Sequence, residues 1–258
     1  MATRRGFGET WDGSASLCLI PARGGSVGVP GKNLRLLDGV PLVAHSIRTA
    51  QASGVFDHVH VSTDDRAIAQ VAAEYGAIPI ERPPELAGNE ASMAPVVEHA
   101  VRWRRRELGV QPLYVFLLQP TSPLRSASDI RQAAALVGES GCDSAVGVFE
   151  ADDPPQWALR ATPEGRLHPI AGWDRYLARR QDLAPRYFDG PVYAIETASY
   201  LAGKRFLTGR TRFFVVPRER AVDIDTEFDL MLAEFLLTRE REVREHARRS
   251  PGPRAVAV

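Results

Sequence analysis

The chain has 258 residues, 44% of them hydrophobic and 25% charged, and its 32 basic and 32 acidic side chains cancel to a formal charge of +0. That length suits one large α/β domain with its own core, and the balanced charge leaves no global field to attract nucleic acid or an anionic membrane, so phosphate binding has to be local. No apolar run reaches the roughly 18 residues of a membrane span, and Leu17 to Pro21, with Asp12 just before it, is too short for a signal-peptide core, so the expected location is cytoplasmic.

Residues 1–15 are polar and aperiodic and read as a flexible N-terminal extension. Leu17 to Pro21 reads as a short buried strand that runs into a glycine-rich loop, Ala22 to Asn33. A helix opens at Pro41 and stops near Gly54, with Val43, Ile47 and Ala50 on one face. His58 to Thr63 alternates as a strand. Ile68, Val71, Ala72 and Tyr75 then recur at helical spacing before Gly76, and Ala77 to Glu81 is again a strand. A helix over about Ala94 to Leu108 precedes the apolar strand Tyr114 to Gln119; a helix from about Ser128 to Val137 precedes the strand Ala145 to Phe149. Such alternation predicts a doubly wound, mostly parallel sheet covered on both faces, with ligands bound beyond the carboxyl ends of its strands.

Residues 151–188 break the rhythm with Asp152-Asp153-Pro154-Pro155, Trp157 and Trp173, and read as a small inserted dimerisation or lid subdomain. Strands resume at Val192 to Ile195 and Phe213 to Val216. A last helix starts near Thr226, with Phe228, Met231, Leu232 and Phe235 expected on its buried face. The organisation is therefore a single domain over 16–248 and a disordered tail over 249–258. Cys18 and Cys142 lie in separate apolar runs with no CxxC pair, which implies buried thiols.

Two segments carry the chemistry. In Pro21-Ala22-Arg23-Gly24-Gly25-Ser26-Val27-Gly28-Val29-Pro30-Gly31-Lys32-Asn33, glycines let backbone amides approach phosphate oxygens, Arg23 offers a planar fork of donors and Lys32 a point charge. Neither GxxxxGK[ST] nor GxGxxG is present, which counts against an NAD-type dehydrogenase. Near the C-terminus, the alternation of Asp223-Ile224-Asp225 puts two carboxylates on one face, a donor set suited to Mg²⁺. Thr226 and Asp229 can cap the last helix by themselves, leaving both aspartates available. Gln119, past a strand end, can hold a hydroxylated substrate; on the residues alone, Thr121 and Ser122 read as turn caps and Arg125 as solvated. Asp64 and Asp65 read as ligands or as the N-cap of the next helix. His58 and His60 share a strand face without a third ligand and read as structural.

The loop, with FDHVHVSTDD (56–65), RPPELA (82–87), LLQPTSPLR (117–125), RQDL (180–183) and VDIDTEFDL (222–230) in the same order, resembles the acylneuraminate cytidylyltransferases over about residues 17 to 237. The resemblance implies a Rossmann-like sheet of the nucleotide-diphospho-sugar transferase type. It also implies transfer of CMP from CTP to the anomeric hydroxyl of an acidic keto sugar with release of pyrophosphate, Mg²⁺ as cofactor, and a homodimer. Arg23, Lys32 and Asp225 would be catalytic. Arg23, Gly24, Gly25, Ser26, Lys32, Asn33, Arg82 and Ala87 would bind the nucleotide, Arg82 at the cytosine. Gln119, Arg180, Gln181 and Tyr193 would bind the sugar, and Asp223 and Asp225 the metal. The chain departs from the family pattern at Val27, where lysine is usual, at Asn89, where aspartate is common, at Asp189-Gly190 in place of Asn-Gly, and at Pro154 to Trp157, which lacks a cation. Those departures keep open another acid sugar, of the 3-deoxy-manno-octulosonate type or from secondary metabolism, and a non-catalytic nucleotide-binding module.

Overall fold

A computed structural model describes residues 15–26, 28–88 and 90–249, with side chains described up to 241. The expected N-terminal extension up to residue 14, the tail from residue 250, and the departures at Val27 and Asn89 lie outside the described residues.

The strands are β1 (Ser16–Pro21), β2 (Leu36–Leu37), β3 (Val40–Pro41), β4 (Val59–Thr63), β5 (Ile78–Glu81), β6 (Tyr114–Leu117), β7 (Ser144–Glu150), β8 (Leu159–Ala161), β9 (Leu167–Pro169), β10 (Tyr187–Glu196) and β11 (Thr211–Val215). The helices are α1 (Leu42–Ser53), α2 (Arg66–Glu74), α3 (Met93–Leu108), α4 (Ala127–Val137), α5 (Trp173–Tyr176), α6 (Thr197–Gly203) and α7 (Glu227–Arg249). Seven strands form one sheet in the order β11-β7-β10-β6-β1-β4-β5. All run parallel except β10, which is antiparallel to both β6 and β7.

The apolar run of β1 is explained by burial on both faces. Leu17 and Leu19 pack with Val97, Val101 and Tyr200 on the α3 and α6 side. Cys18 and Ile20 pack with Ile47, Phe116 and Ile130 on the α1 and α4 side. Both cysteines are free and buried, as expected. At the sheet edge, Pro79 and exposed Glu81 blunt β5 against further pairing. Helix starts follow their caps: Asp65 Oδ1 accepts from Ala67 N at 2.7 Å and Ile68 N at 3.1 Å, and Ser126 with Asp129 forms a capping box on α4.

A third cluster decides where the site forms. Val29 of the glycine loop, Leu37 and Leu42 of the hairpin and α1, Leu124 after β6, Val222 and Ile224 of the acidic segment, and Leu230 and Ala233 of α7 pack together. Three distant parts of the chain, 29–42, 124 and 222–233, are thus welded at one end of the sheet.

Several expectations need correction. β6 ends at Leu117, so Gln119 belongs to the turn that follows it. β10 already begins at Tyr187, inside the span read as an insertion. The β2–β3 hairpin and α6 were not anticipated. On α7 the expected buried face is only partly right: Leu232 packs against the cluster, but Phe228, Met231 and Phe235 are exposed, while Leu230 and Ala233 are buried. The helix docks on the cluster of Val222 and Ile224 through the neighbouring stripe, because the capped turn at Thr226 sets its rotation.

Candidate functional site

The glycine loop leaves β1 beside β4, at the carboxyl ends of both parallel strands. Gly24 N donates to Asp64 Oδ1 at 3.1 Å, which binds the loop to the end of β4. Any Cβ at Gly24 would lie 2.8 Å from Asp65 Oδ2 and 3.0 Å from its Cβ. Ser26 N donates to Gly24 O at 3.2 Å, closing a tight turn. Buried Asn33 donates from Nδ2 to Arg23 O at 2.8 Å and so fixes the backbone that carries Arg23. The Arg23 guanidinium donates to Gly88 O at 3.1 Å, next to Ala87.

Arg82 lies just past β5 and is only 5% exposed. Its Nε donates to Ser62 Oγ at 3.1 Å and its Nη2 to Ser62 O at 2.7 Å. Burial lowers its pKa, with Asp64 acting upward and Arg23 downward, so these charges sit within mutual reach. Part of its donor set is thus held by the β4 backbone.

The acidic segment comes to the other side of the loop. Asp223 and Asp225 are both exposed, while Val222 and Ile224 between and before them are buried at 4% and 0%. The alternation read from the sequence is therefore present, although the segment is not a strand; Ile224 N donates instead to Thr121 O at 2.8 Å. Lys32 Nζ donates to Ile224 O and lies 3.2 Å from Asp225 Oδ1. At Gly28 an added Cβ would lie 2.1 Å from Asp225 O, so only glycine admits this approach. Asp229 Oδ2 accepts from Thr226 N at 2.8 Å and from Asp225 N at 3.1 Å, so the helix cap is met without either candidate metal ligand.

Two exposed carboxylates one residue apart fit Mg²⁺, which takes one or two of them and fills its shell with phosphate and water. Among the described residues no group of three or more His, Cys, Asp or Glu could hold a metal alone.

The expected sugar-side residues divide. Gln119 and Tyr193 both lie at the carboxyl end of β6: Tyr193 is paired with Leu117 across β10 and β6, two residues before Gln119. The register between β10 and β7 shifts between Asp189 and Tyr193, an irregularity of the bulge type that re-aims side chains. There the Tyr193 hydroxyl donates to Asp189 Oδ2 at 2.9 Å. Burial, then the carboxylates of Asp189 and Asp223, push the phenol pKa up, so it stays protonated. Arg180 and Gln181 sit exposed on a short turn of the inserted segment, and no hydrogen bond or ion pair among the described residues joins their side chains to this region. Arg125 is the residue the sequence misjudged. It is 3% exposed rather than solvated, and only its place in the LLQPTSPLR run pointed to it.

Comparison with known proteins bears on this geometry. Residues 17–180 match a family model described as cytidylyltransferase. The chain is 33% identical over 218 residues to an N-acylneuraminate cytidylyltransferase of Streptococcus agalactiae serotype V, across 83% of this chain and 51% of that protein; the chain spans about half the length of the first curated relatives it matches. It is 33% identical over 223 residues to a pseudaminic acid cytidylyltransferase of Campylobacter jejuni, across 86% of this chain and 95% of that one. Among solved structures, a CMP:2-keto-3-deoxy-manno-octonic acid synthetase complexed with CTP overlays with a TM-score of 0.64 at 17% identity, across 87% of this chain and 99% of that chain, and shares the fold.

Proposed function

The chain belongs to the cytidylyltransferase family, and from that premise we propose that it transfers CMP from CTP to the anomeric hydroxyl of a sialic-acid-like 2-keto acid sugar, with pyrophosphate leaving. One observation carries the reading: the cationic glycine loop and the acidic pair meet, with Lys32 Nζ 3.2 Å from Asp225 Oδ1 and Gly28 against the Asp225 carbonyl.

Transfer of this kind is chiefly a matter of alignment and charge neutralisation. Arg23, Lys32 and the amides of Gly24 and Gly25 hold the triphosphate, with Ser26 and Asn33 completing the loop and Arg82 and Ala87 at the base. Asp223 and Asp225 would hold Mg²⁺, which would supply charge neutralisation at the phosphates and make the sugar hydroxyl easier to deprotonate. Gln119 and Tyr193 orient the sugar, and the hydroxyl oxygen attacks the α-phosphorus as the bond to pyrophosphate breaks and the hydroxyl proton is released to solvent. Arg180 and Gln181 lie on the inserted segment, which we propose forms a homodimer interface: Ile170, Trp173 and Leu177 expose 67%, 57% and 73% of their surface there. Among the described residues no helix is long and apolar enough to cross a membrane.

Asp189 stands where the family pattern has Asn, and its carboxylate only accepts hydrogen bonds. A substituent that donates there is preferred. The test is pyrophosphate release from CTP and Mg²⁺ with a panel of 2-keto acid sugars, including N-acetylneuraminic acid, pseudaminic acid and 3-deoxy-manno-octulosonate. Release with a nine-carbon acid is expected; CTP binding without release from any sugar contradicts the reading and leaves a non-catalytic nucleotide-binding module.

A further inference from the structure

We propose that Arg125 is the positioning residue of the sugar side of the site: one buried guanidinium fixes, relative to each other, the chain segments that present Gln119 and Tyr193. The proposal rests on the reading of that side given above.

Arg125 ends the turn that follows β6. Its Nε donates to Pro191 O at 2.7 Å, its Nη1 to Ser46 Oγ at 2.7 Å, and its Nη2 to Gln119 O. Ser46, itself 0% exposed, donates to the same Gln119 oxygen at 3.4 Å. One rigid fork therefore joins three elements: α1 through Ser46, the turn through Gln119, and β10 through Pro191, two residues before Tyr193. A guanidinium holds its donors at fixed angles in a plane, whereas an ammonium is a single rotating point. The three segments consequently move as one body.

The same turn reaches the acidic segment. Thr121 O accepts from Ile224 N at 2.8 Å, and Asp129, on the helix that Arg125 leads into, pairs with Arg220 at 2.9 Å. Burial costs the Arg125 cation: desolvation pulls its pKa down to about 10, partly offset by the carboxylates of Asp129 and Asp223, and it is still charged at neutral pH. An apolar side chain of similar volume would fill this space without that penalty. What it could not do is hold Gln119 and β10 in register. The glycine loop makes none of these three bonds, so loosening Arg125 separates sugar recognition from nucleotide recognition.

The test compares wild type with Arg125→Lys and with Ser46→Ala, which keeps the guanidinium and removes one acceptor. With an acid sugar that supports turnover, the sugar KM should rise roughly tenfold to a hundredfold in Arg125→Lys. The KM for CTP and the binding of Mg²⁺-CTP should stay within about twofold. Amide hydrogen exchange should speed up over residues 118–124 and 192–195 and stay unchanged over 16–21. Ser46→Ala should give the same pattern, weaker. Equal rises in both KM values with uniformly faster exchange would make Arg125 a general structural residue and overturn the proposal, as would unchanged exchange in both segments. If the wild type turns over no sugar, the function proposed above fails, and the exchange pattern still decides the role of Arg125.

Discussion

At the scale of single residues, the site depends on where a side chain is forbidden. Gly28→Ala would push a methyl into the Asp225 carbonyl, 2.1 Å away, and one of the two backbones must move. Gly25 has no atom within 4 Å of an added Cβ. Gly28→Ala should therefore weaken CTP binding by roughly tenfold or more, a loss of at least about 1.4 kcal/mol, whereas Gly25→Ala should unfold at the wild-type denaturant midpoint. Equal CTP affinities for Gly28→Ala and wild type, measured by titration calorimetry, would sink this account of the loop. His60 offers a pH-dependent check. Burial holds its folded pKa down near 4 against an ordinary 6.5, with Arg104 acting in the same direction. The unfolded chain therefore binds the extra proton between those values, and stability falls as pH drops from 6.5 towards 4, by about 3 kcal/mol in total. In His60→Leu this part of the slope should vanish when unfolding free energies at pH 7 and pH 4.5 are compared with wild type; an unchanged slope would rule it out. The loop cations, the aspartates and their glycines were legible from residue type and spacing alone. Arg125 was not, because one arginine in a turn reads the same solvated or buried; only the carbonyls of Gln119 and Pro191, brought together by folding, give it partners.

Among the elements, α7 shows why periodicity alone misleads. Phe228, Met231 and Phe235 form a stripe at helical spacing, yet they are 68%, 61% and 58% exposed, while Leu230 and Ala233 are 5% and 0% exposed. Two apolar stripes share this helix, and the sequence does not say which one meets the core. The cap decides: Thr226 and Asp229 fix the first turn, and Val222 and Ile224 fix the direction from which the chain arrives. Leu230→Ala should destabilise by about 2–4 kcal/mol through the cavity it leaves. Phe228→Ser should change stability by no more than about 0.5 kcal/mol. Chemical unfolding of the two variants separates these outcomes, and the reverse order would mean the helix is rotated. The long parallel pattern was legible because its strands are buried on both faces. The β2–β3 hairpin escaped notice because its strands have two residues each, and only Asp38 and Gly39, at φ 48° and 73°, mark its turn.

For the whole molecule, the arrangement depends on a small apolar cluster at one end of the sheet rather than on the sheet itself. Val29, Leu124 and the Val222–Ile224 pair come from three distant parts of the chain, and their packing brings cations and carboxylates to one place. The inserted segment presents the opposite situation, an apolar surface that the other described residues leave exposed. If it forms a homodimer, Leu177→Asp should shift the mass measured by light scattering from two chains to one; a wild type that stays at one chain at all concentrations would contradict that. The central claim is that the loop and the acidic pair act on one nucleotide from opposite sides, and the most direct test is CTP binding measured with and without Mg²⁺. Asp223→Asn and Asp225→Asn should each remove the gain in affinity that Mg²⁺ brings while leaving Mg²⁺-free binding near wild type, and Lys32→Met should weaken both. Aspartate variants that bind Mg²⁺-CTP as tightly as wild type would contradict the account.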